Sequence, residues 1–175
     1  MSNTDHWNDV YSNKSESELS WYQDDPSVAL GLMEKAGLTT KSAVIDIGAG
    51  TSRLMERLLD RGLDDLSAID LSESALAAAR LRLGERERAV KWIGADITRW
   101  EPTQTYDIWH DRAVFHFLVK SEDRIAYMQR LSQCVAPGGH AIIATFASDG
   151  PEKCSGLPVA RYNPTSLAET LGADF

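Results

Sequence analysis

The stretch VIDIGAGTSRL, residues 44–54, decides the fold because it leads from a short apolar run into a helix-like pattern through two glycines. The apolar run at 43–47 is typical of a buried strand. Gly48 and Gly50 allow a tight backbone turn and let a ligand approach without an intervening Cβ atom. The helix that follows offers free N–H groups at its start. The stretch therefore predicts a strand, a turn and a helix that together hold a nucleotide-like ligand.

The spacing of the glycines bears on which ligand the turn holds. A dinucleotide site has the pattern GxGxxG, and its third glycine would stand at position 53. Arg53 occupies that position with a bulky, charged side chain, which argues against a pyrophosphate. No lysine follows the glycines as it does in the pattern GxxxxGKS. Taken alone, the glycine pair is also compatible with a purely structural turn.

The rest of the chain alternates predicted strands with predicted helices. Such alternation is typical of an α/β protein with a doubly wound, mostly parallel sheet. In this architecture, ligands bind beyond the carboxyl ends of the strands. The predicted strands cover 43–47, 66–69, 90–93, 106–110 and 141–146. The first predicted helix follows Asp25 as its N-cap, and the later predicted helices begin at Arg53, Ser72, Ser121 and Ser166.

The chain divides into an N-terminal segment and one larger unit. Residues 1–25 are polar, yet their tryptophans and tyrosines predict an ordered aromatic arm rather than a disordered tail. Residues 26–175 have the length of a single ligand-binding domain. On the helix that begins at Ser121, the buried stripe is predicted at positions 125, 128, 131 and 135, and the glycines of 137–139 are predicted to close this helix.

Acidic residues follow the second and third predicted strands. Asp70 stands twenty residues past Gly50, a spacing at which an acidic side chain accepts ribose hydroxyls in nucleotide-binding folds. The alternative is that Asp70 or Ser72 merely caps the next helix. Asp96 follows the third strand and is placed to receive the exocyclic amine of a purine, although a loop aspartate is more often a turn residue. Together these residues predict an adenosine pocket with little provision for a diphosphate.

Composition excludes several other classes. The formal net charge of −8 argues against nucleic acid as a main partner, because phosphate binding needs clustered Lys and Arg. No stretch approaches the ~18 consecutive apolar residues of a membrane span, and the polar N-terminus lacks a signal-peptide core, so a cytoplasmic protein is expected. Cys134 and Cys154 form no CxxC pair, and no metal-ligand spacing or GxSxG elbow is present, so no metal site is predicted.

Five motifs occur in a fixed order: DIGAG at 46–50, Asp70, ADI at 95–97, YDI at 106–108 and PGG at 137–139. In order and spacing over residues 43–146, the set resembles the class I S-adenosylmethionine-dependent methyltransferases. HWNDVY at 6–11, SWYQ at 20–23 and HDRAVFHFL at 110–118 are similar to a narrower branch. That branch holds small bacterial enzymes similar to the lysine methyltransferase of mitochondrial citrate synthase.

The resemblance implies a Rossmann-like methyltransferase fold with S-adenosylmethionine as cofactor and S-adenosylhomocysteine as product. It implies that the glycine turn lies against the methionine part, with Asp46 near its amine. It also implies that Asp70 binds the ribose and that Asp96 and the Ile97 N–H meet the adenine. The cofactor-binding residues implied in this way are Asp46, Gly48, Ala49, Gly50, Ser52, Asp70, Leu71, Asp96, Ile97, Asp111 and Trp21.

The resemblance further places Asp111 and Arg112 near the methyl group, and His110 and His116 are additional candidates for a catalytic role. A lone histidine without a visible partner is more often a packed residue, so His116 is expected to be one. Trp21 and Tyr22 are expected to close over the cofactor or to line the entrance of the acceptor. The acceptor itself, a protein lysine or a small molecule, is not specified by these residues.

Two alternatives to a methyltransferase remain open at this stage. A nicotinamide-dependent oxidoreductase would need a third glycine at position 53 and a substrate domain. A non-catalytic domain that binds S-adenosylmethionine for regulation is compatible with the chain, because the family fold usually adds two further strands that are expected to be missing here. An uncovered sheet edge of that kind predicts association through the edge.

Overall fold

The structure, a computed structural model, describes residues 3–13, 16–19 and 21–172. Its central sheet has five strands in the order β3-β2-β1-β4-β5, and every neighbouring pair is parallel. The chain turns from β1 to β2 on one side and later to β4 on the other, so the ligand-binding switch point lies between β1 and β4. The strands are β1 Val44–Ile47, β2 Leu66–Asp70, β3 Val90–Gly94, β4 Tyr106–Arg112 and β5 Val135–Ala144.

Six helices accompany the strands in the described ranges, and the predicted doubly wound α/β fold is confirmed. They are α1 Asn3–Asn13, α2 Ser27–Lys35, α3 Leu54–Asp60, α4 Glu73–Leu83, α5 Ser121–Cys134 and α6 Pro164–Leu171. Helix α1 belongs to the predicted arm; the hydroxyls of Ser72 and Ser74 donate to its Asn8 Oδ1 at 2.8 and 3.2 Å. The division at residue 25 stays a prediction, and Ser20 of the SWYQ motif lies outside the described residues.

The sheet carries a hydrophobic cluster on each face, because successive side chains of a strand point to opposite sides. Val44 joins the cluster formed with α2, α3 and α4, whereas Ile45 and Ile47 join the cluster on the α5 side. Helix α5 buries Tyr127, Leu131 and Cys134. The predicted stripe of α5 is therefore wrong at Ile125, which is 59% exposed.

Several element ends differ from the sequence prediction for local reasons. Helix α2 begins at Ser27 with Pro26 at the N-cap position and no side-chain cap, so the predicted cap by Asp25 is wrong. Ser72 caps α4 by accepting the Ala75 N–H at 3.2 Å, as predicted. The segment 137–139 does not close α5. It lies within β5, where the pairing with β4 shifts register and the extra residues form a bulge.

A short antiparallel hairpin follows β5 and was not predicted. Its strands are β6 Lys153–Cys154 and β7 Leu157–Pro158, joined through Ser155 and Gly156, both at positive φ. In the described part of the chain, β3 and β5 form the edges of the sheet, and association through the β5 edge stays a prediction. No helix in the described ranges has the length and apolar character needed to span a membrane.

Candidate active site

A cavity of about 670 Å³ lies at the carboxyl end of the sheet. Residues that follow each of the five strands contribute to its wall, together with α1, Trp21 and the β6–β7 hairpin. This volume is within the range of cavities that bind cofactors and small molecules. The position agrees with the place where a doubly wound sheet holds its ligand.

The turn after β1 needs glycine at two positions. Gly48 and Gly50 have φ of +66° and +51°, a region that other residues rarely adopt. A Cβ at Gly50 would lie 2.5 Å from the Tyr11 hydroxyl oxygen, and a Cβ at Gly48 would overlap Val114. The turn is therefore fixed both by its backbone conformation and by the side chains that pack onto it.

Asp70, at the end of β2, lines the cavity and holds the glycine turn at the same time. Its Oδ2 accepts the Gly50 N–H at 2.8 Å, and its Oδ1 accepts the Ser72 N–H at 2.7 Å. Burial raises the pKa of Asp70 to about 6, while these two hydrogen bonds act in the opposite direction. Because each carboxylate oxygen has more than one lone pair, both can also accept ligand hydroxyls.

Asp96 and Ile97, after β3, line the same cavity, as does Leu71. Asp96 Oδ1 accepts both the Thr98 N–H at 2.9 Å and the Thr98 hydroxyl at 2.7 Å. Within the described ranges no hydrogen bond to Asp96 Oδ2 is found, so this oxygen is available to a ligand. The turn role and the ligand role of Asp96 are thus compatible.

A smaller cavity of about 50 Å³ lies beside the glycine turn and contains several of the predicted residues. Asp46 Oδ1 and His110 Nδ1 are 2.6 Å apart, and both side chains are buried. Arg112 lines both cavities and donates a hydrogen bond to the Trp21 carbonyl. Burial lowers the pKa of its guanidinium. Other predicted residues in this wall are Ala49, Ser52, Trp21 and Tyr22.

Asp111, a predicted cofactor-binding and catalytic residue, lines neither of these two cavities. Its carboxylate is fully buried and accepts the Val114 N–H at 2.8 Å, the Phe115 N–H at 3.1 Å and the Tyr127 hydroxyl at 2.7 Å. Burial raises the pKa of Asp111 to about 6. Asp111 therefore holds the turn after β4, and its role toward the cofactor and the methyl group stays a prediction.

Aromatic side chains of the arm form the roof of the large cavity. Trp7, Tyr11 and Trp21 all line it, and Trp7 packs edge-to-face on Phe117 with ring centroids 5.1 Å apart. Trp7 and Tyr11 also contact Trp21. The density of aromatic residues in the sequence predicted an ordered arm, and the resemblance placed Trp21 over the cofactor, but no sequence signal located Trp7 and Tyr11 at this cavity.

Arg82 of α4 fastens this arm and had no sequence signal at all. Its guanidinium contacts the carboxylates of Glu16 and Glu56. It also donates to the Ser52 carbonyl at 2.9 Å. One side chain thus joins the arm, the start of α3 and the end of the glycine turn.

His116 is both packed and part of the cavity wall. It is 1% exposed and stacks on Phe146 with ring centroids 4.7 Å apart. Neither ring nitrogen has a hydrogen-bond partner among the described residues, and burial lowers the pKa of His116 to about 4. The expectation of a packed histidine is confirmed, but that expectation missed its position in the wall. In the described ranges no group of three or more metal-ligating side chains is found.

Comparison with known proteins identifies the family. Residues 44–139, more than half of the chain, match the family described as "Methyltransferase domain". The chain belongs to this methyltransferase family. The resemblance inferred from the five motifs is confirmed at this level, and the narrower branch stays a prediction.

Two curated members of the methyltransferase group show the extent of the similarity. The eEF1A lysine and N-terminal methyltransferase of Danio rerio is 25% identical over 153 residues, which are 85% of this chain and 22% of that protein. The trans-aconitate 2-methyltransferase of Rhizobium etli is 29% identical over 127 residues, which are 71% of this chain and 47% of that protein. The chain thus spans less than half the length of these relatives.

A solved structure shows the shared methyltransferase fold. The 1,6-didemethyltoxoflavin-N1-methyltransferase of Burkholderia thailandensis, with bound 1,6-didemethyltoxoflavin and S-adenosylhomocysteine, matches with a TM-score of 0.66. Its sequence is 24% identical, and the match covers 93% of this chain and 68% of that chain.

Proposed function

We propose that this chain is an S-adenosylmethionine-dependent methyltransferase that binds its cofactor in the large cavity. The observation that carries the proposal is the meeting of Asp70, Asp96 and the glycine turn at one cavity. These residues follow neighbouring strands, so the order β3-β2-β1 spaces them along one line. Membership of the methyltransferase family supports the proposal.

In the proposed complex, the adenosine part lies over the ends of β2 and β3. Asp70 accepts the ribose hydroxyls, and Asp96 Oδ2 accepts the adenine amine. Leu71 and Ile97 lie beside the adenine ring. The methionine chain passes Gly48, which lines both cavities, and runs on toward the smaller cavity, where Asp46 faces the methionine amine and Arg112 faces its carboxylate.

The bound cofactor supplies an already activated sulfonium methyl group. The chain's own residues therefore have to position the two reactants and exclude water, and orientation of this kind is worth roughly 7–11 kcal/mol in well-aligned reactions. The aromatic rings of Trp7, Tyr11 and Trp21 cover the cavity and serve that purpose. The buried Asp46–His110 pair stiffens the floor of the smaller cavity.

Calorimetric titration with S-adenosylmethionine, S-adenosylhomocysteine and NAD tests the cofactor assignment. We expect both sulfur compounds to bind and NAD to fail, since Arg53 stands where a dinucleotide site needs glycine. Binding of NAD alone would overturn the proposal. Transfer of radiolabelled methyl to fractionated lysate then tests the reaction; cofactor binding without any transfer would favour a regulatory domain. The cytoplasmic location expected from the sequence stays a prediction.

The variant Asp70→Ala tests the site itself. Loss of hydrogen bonds to a charged acceptor should weaken binding of S-adenosylmethionine by about tenfold to a hundredfold. Asp64→Ala is the matched control, because Asp64 is an exposed aspartate just before β2, at the opposite end of the strand. Thermal unfolding of both variants without ligand separates a lost contact from a lost turn. An unchanged dissociation constant in Asp70→Ala would refute the ribose assignment.

A further inference from the structure

The cavity extends beyond the part assigned to the cofactor. Asp70 and Asp96 stand at the ends of β2 and β3, on one side of β1. The ends of β4 and β5 and the β6–β7 hairpin lie on the other side of β1 and contribute a different set of side chains. We define the acceptor subsite by four of these residues: His116, Phe117, Phe146 and Lys153.

The first observation in the acceptor subsite is the unsatisfied imidazole of His116. The ring is 1% exposed, and within residues 3–13, 16–19 and 21–172 neither nitrogen has a hydrogen-bond partner. A buried polar group without a partner is costly unless a ligand or water supplies the missing bond. Because burial lowers the pKa of His116 to about 4, the ring is neutral at physiological pH and carries one N–H donor. This N–H group therefore needs a hydrogen-bond acceptor from a molecule inside the cavity.

The second observation is the charge of the subsite. Lys153, on the hairpin, lines the cavity and forms no ion pair with any described residue. Arg112 is not counted in the subsite, because its guanidinium donates to the Trp21 carbonyl, interacts with the charge of Asp46 and faces the cofactor carboxylate in the proposed complex. Asp123, in the first turn of α5, is the acidic residue that faces the cavity from that helix. In the acceptor subsite, the Lys153 ammonium and the neutral His116 donor are therefore available to an acidic group, and Asp123 is the carboxylate that faces them from α5.

The third observation is the shape of the walls. His116 stacks on Phe146 and contacts Phe117 at a centroid distance of 4.4 Å, so the polar atoms are set between flat aromatic faces. Trp7 covers Phe117 from above. This arrangement suits a small molecule with an apolar body and one acidic group. A protein lysine would enter as a cation and meet the like charge of Lys153.

We propose that the acceptor subsite binds a small organic carboxylic acid as the methyl acceptor, with Lys153 as its counter-charge and His116 as the hydrogen-bond donor. This inference rests on the proposed methyl transfer. One carboxylate oxygen accepts the imidazole N–H, and the other attacks. Its lone pair forms the new O–CH₃ bond, the C–S bond breaks, and its electron pair returns to sulfur. The products are a methyl ester and S-adenosylhomocysteine, and no proton has to be removed.

The experiment measures turnover with a panel of aliphatic and aromatic carboxylic acids, each paired with its primary amide, and with a set of lysine-containing peptides. Formation of S-adenosylhomocysteine is followed in the full chain after its binding of S-adenosylmethionine has been established by calorimetry. We expect at least one acid to be methylated and its amide to be inactive. Methylation of the peptides alone, of amides and acids alike, or of no acid would overturn the inference.

Variants of Lys153 test the counter-charge without risk to the fold, because this side chain is exposed on the hairpin. Lys153→Glu should raise KM for the acid by about tenfold or more, and Lys153→Arg should restore it. Lys41→Glu makes the same charge change on an exposed residue before β1, at the far end of the sheet, and should leave KM unchanged. Equal effects of the two Glu variants would contradict a local role.

His116→Phe keeps the stacked ring and removes both nitrogens. It should lower kcat for the acid by about tenfold to a hundredfold, while the dissociation constant for S-adenosylmethionine stays within a small factor of the original. Absence of any effect on turnover would refute the role of His116. If S-adenosylmethionine does not bind the unaltered chain, the proposed function fails; if it binds and no acid reacts, only the present inference fails.

Discussion

At the scale of single residues, His116 gives the protein a measurable pH signature. Its folded-state pKa of about 4 lies below the ordinary value of 6.5. Below pH 6.5 the unfolded chain binds a proton that the folded chain does not bind until about pH 4. The contribution of neutral His116 to stability is therefore complete above pH 6.5 and is lost as the pH falls toward 4.

Substitution His116→Phe removes this loss. Between pH 7.5 and pH 5, we expect the free energy of unfolding of the variant to improve relative to the original chain by about 1–2 kcal/mol. Urea denaturation at the two pH values measures the difference. The contributions of the buried Asp70 and Asp111 carboxylates to the pH dependence cancel, because both proteins contain these residues. A difference that is independent of pH would show that the imidazole does not resist protonation.

Asp111 should act on stability more than on ligand binding directly. In Asp111→Asn, one amide oxygen remains to accept from the Val114 and Phe115 N–H groups, and the new NH₂ group opposes those donors. We expect a loss of about 2 kcal/mol in the free energy of unfolding. Asp149→Asn, in an exposed loop, is the control and should be neutral. A stable Asp111→Asn variant that has lost only activity would restore the catalytic role predicted from the sequence.

The contrast between Asp70 and Asp111 shows what residue patterns convey. Asp70 follows a glycine turn at a fixed spacing, and the structure places it in the cavity wall. Asp111 lies near the end of β4, but its side chain turns toward Tyr127 and the next loop. Sequence order places both at strand ends. It does not reveal which face of the loop a carboxylate takes, because that depends on packing from distant residues.

At the scale of elements, the docking of the arm depends on Arg82. Arg82→Met should release Glu16 from α4 and free the Ser52 carbonyl, since both contacts are made by the guanidinium. We expect weaker binding of S-adenosylmethionine, by severalfold, and faster cleavage of the arm in limited proteolysis. Arg80→Met, on the same helix, loses an exposed pair with Glu87 and serves as the control. Equal behaviour of the two variants would contradict the fastening role.

The elements that sequence reasoning missed are those without periodicity. The hairpin of β6 and β7 has two residues in each strand, too few for any alternation to show. The glycines at 138 and 139 predicted the end of a helix. In the structure they lie within β5 and form a bulge, because β5 pairs with β4 on both sides of them. The long amphipathic helices and apolar strands were located from the sequence, because the spacing of apolar residues in each segment itself indicates which side chains are buried. The hairpin supplies Lys153, so the acceptor subsite was missed with it.

At the scale of the whole molecule, the β5 edge of the sheet bears on association. No strand in the described ranges pairs with the outer side of β5; the nearest backbone contact is a bridge from Ala147 to Tyr162. Unpaired edge groups tend to find a partner strand. We therefore expect sedimentation velocity to show association that grows with concentration. A monomer at all concentrations, with β5 amides protected from hydrogen exchange, would contradict this.

The aromatic roof has a kinetic consequence. Tyr11 lies on Gly50, and Trp7 spans to Phe117, so one helix covers both ends of the cavity. We expect fresh cofactor to enter and the spent thioether to leave past this helix. The rate of the full cycle would be paced by the lifting of α1 rather than by bond making. Weaker packing of α1 would raise turnover when the cofactor is abundant and weaken cofactor binding when it is scarce.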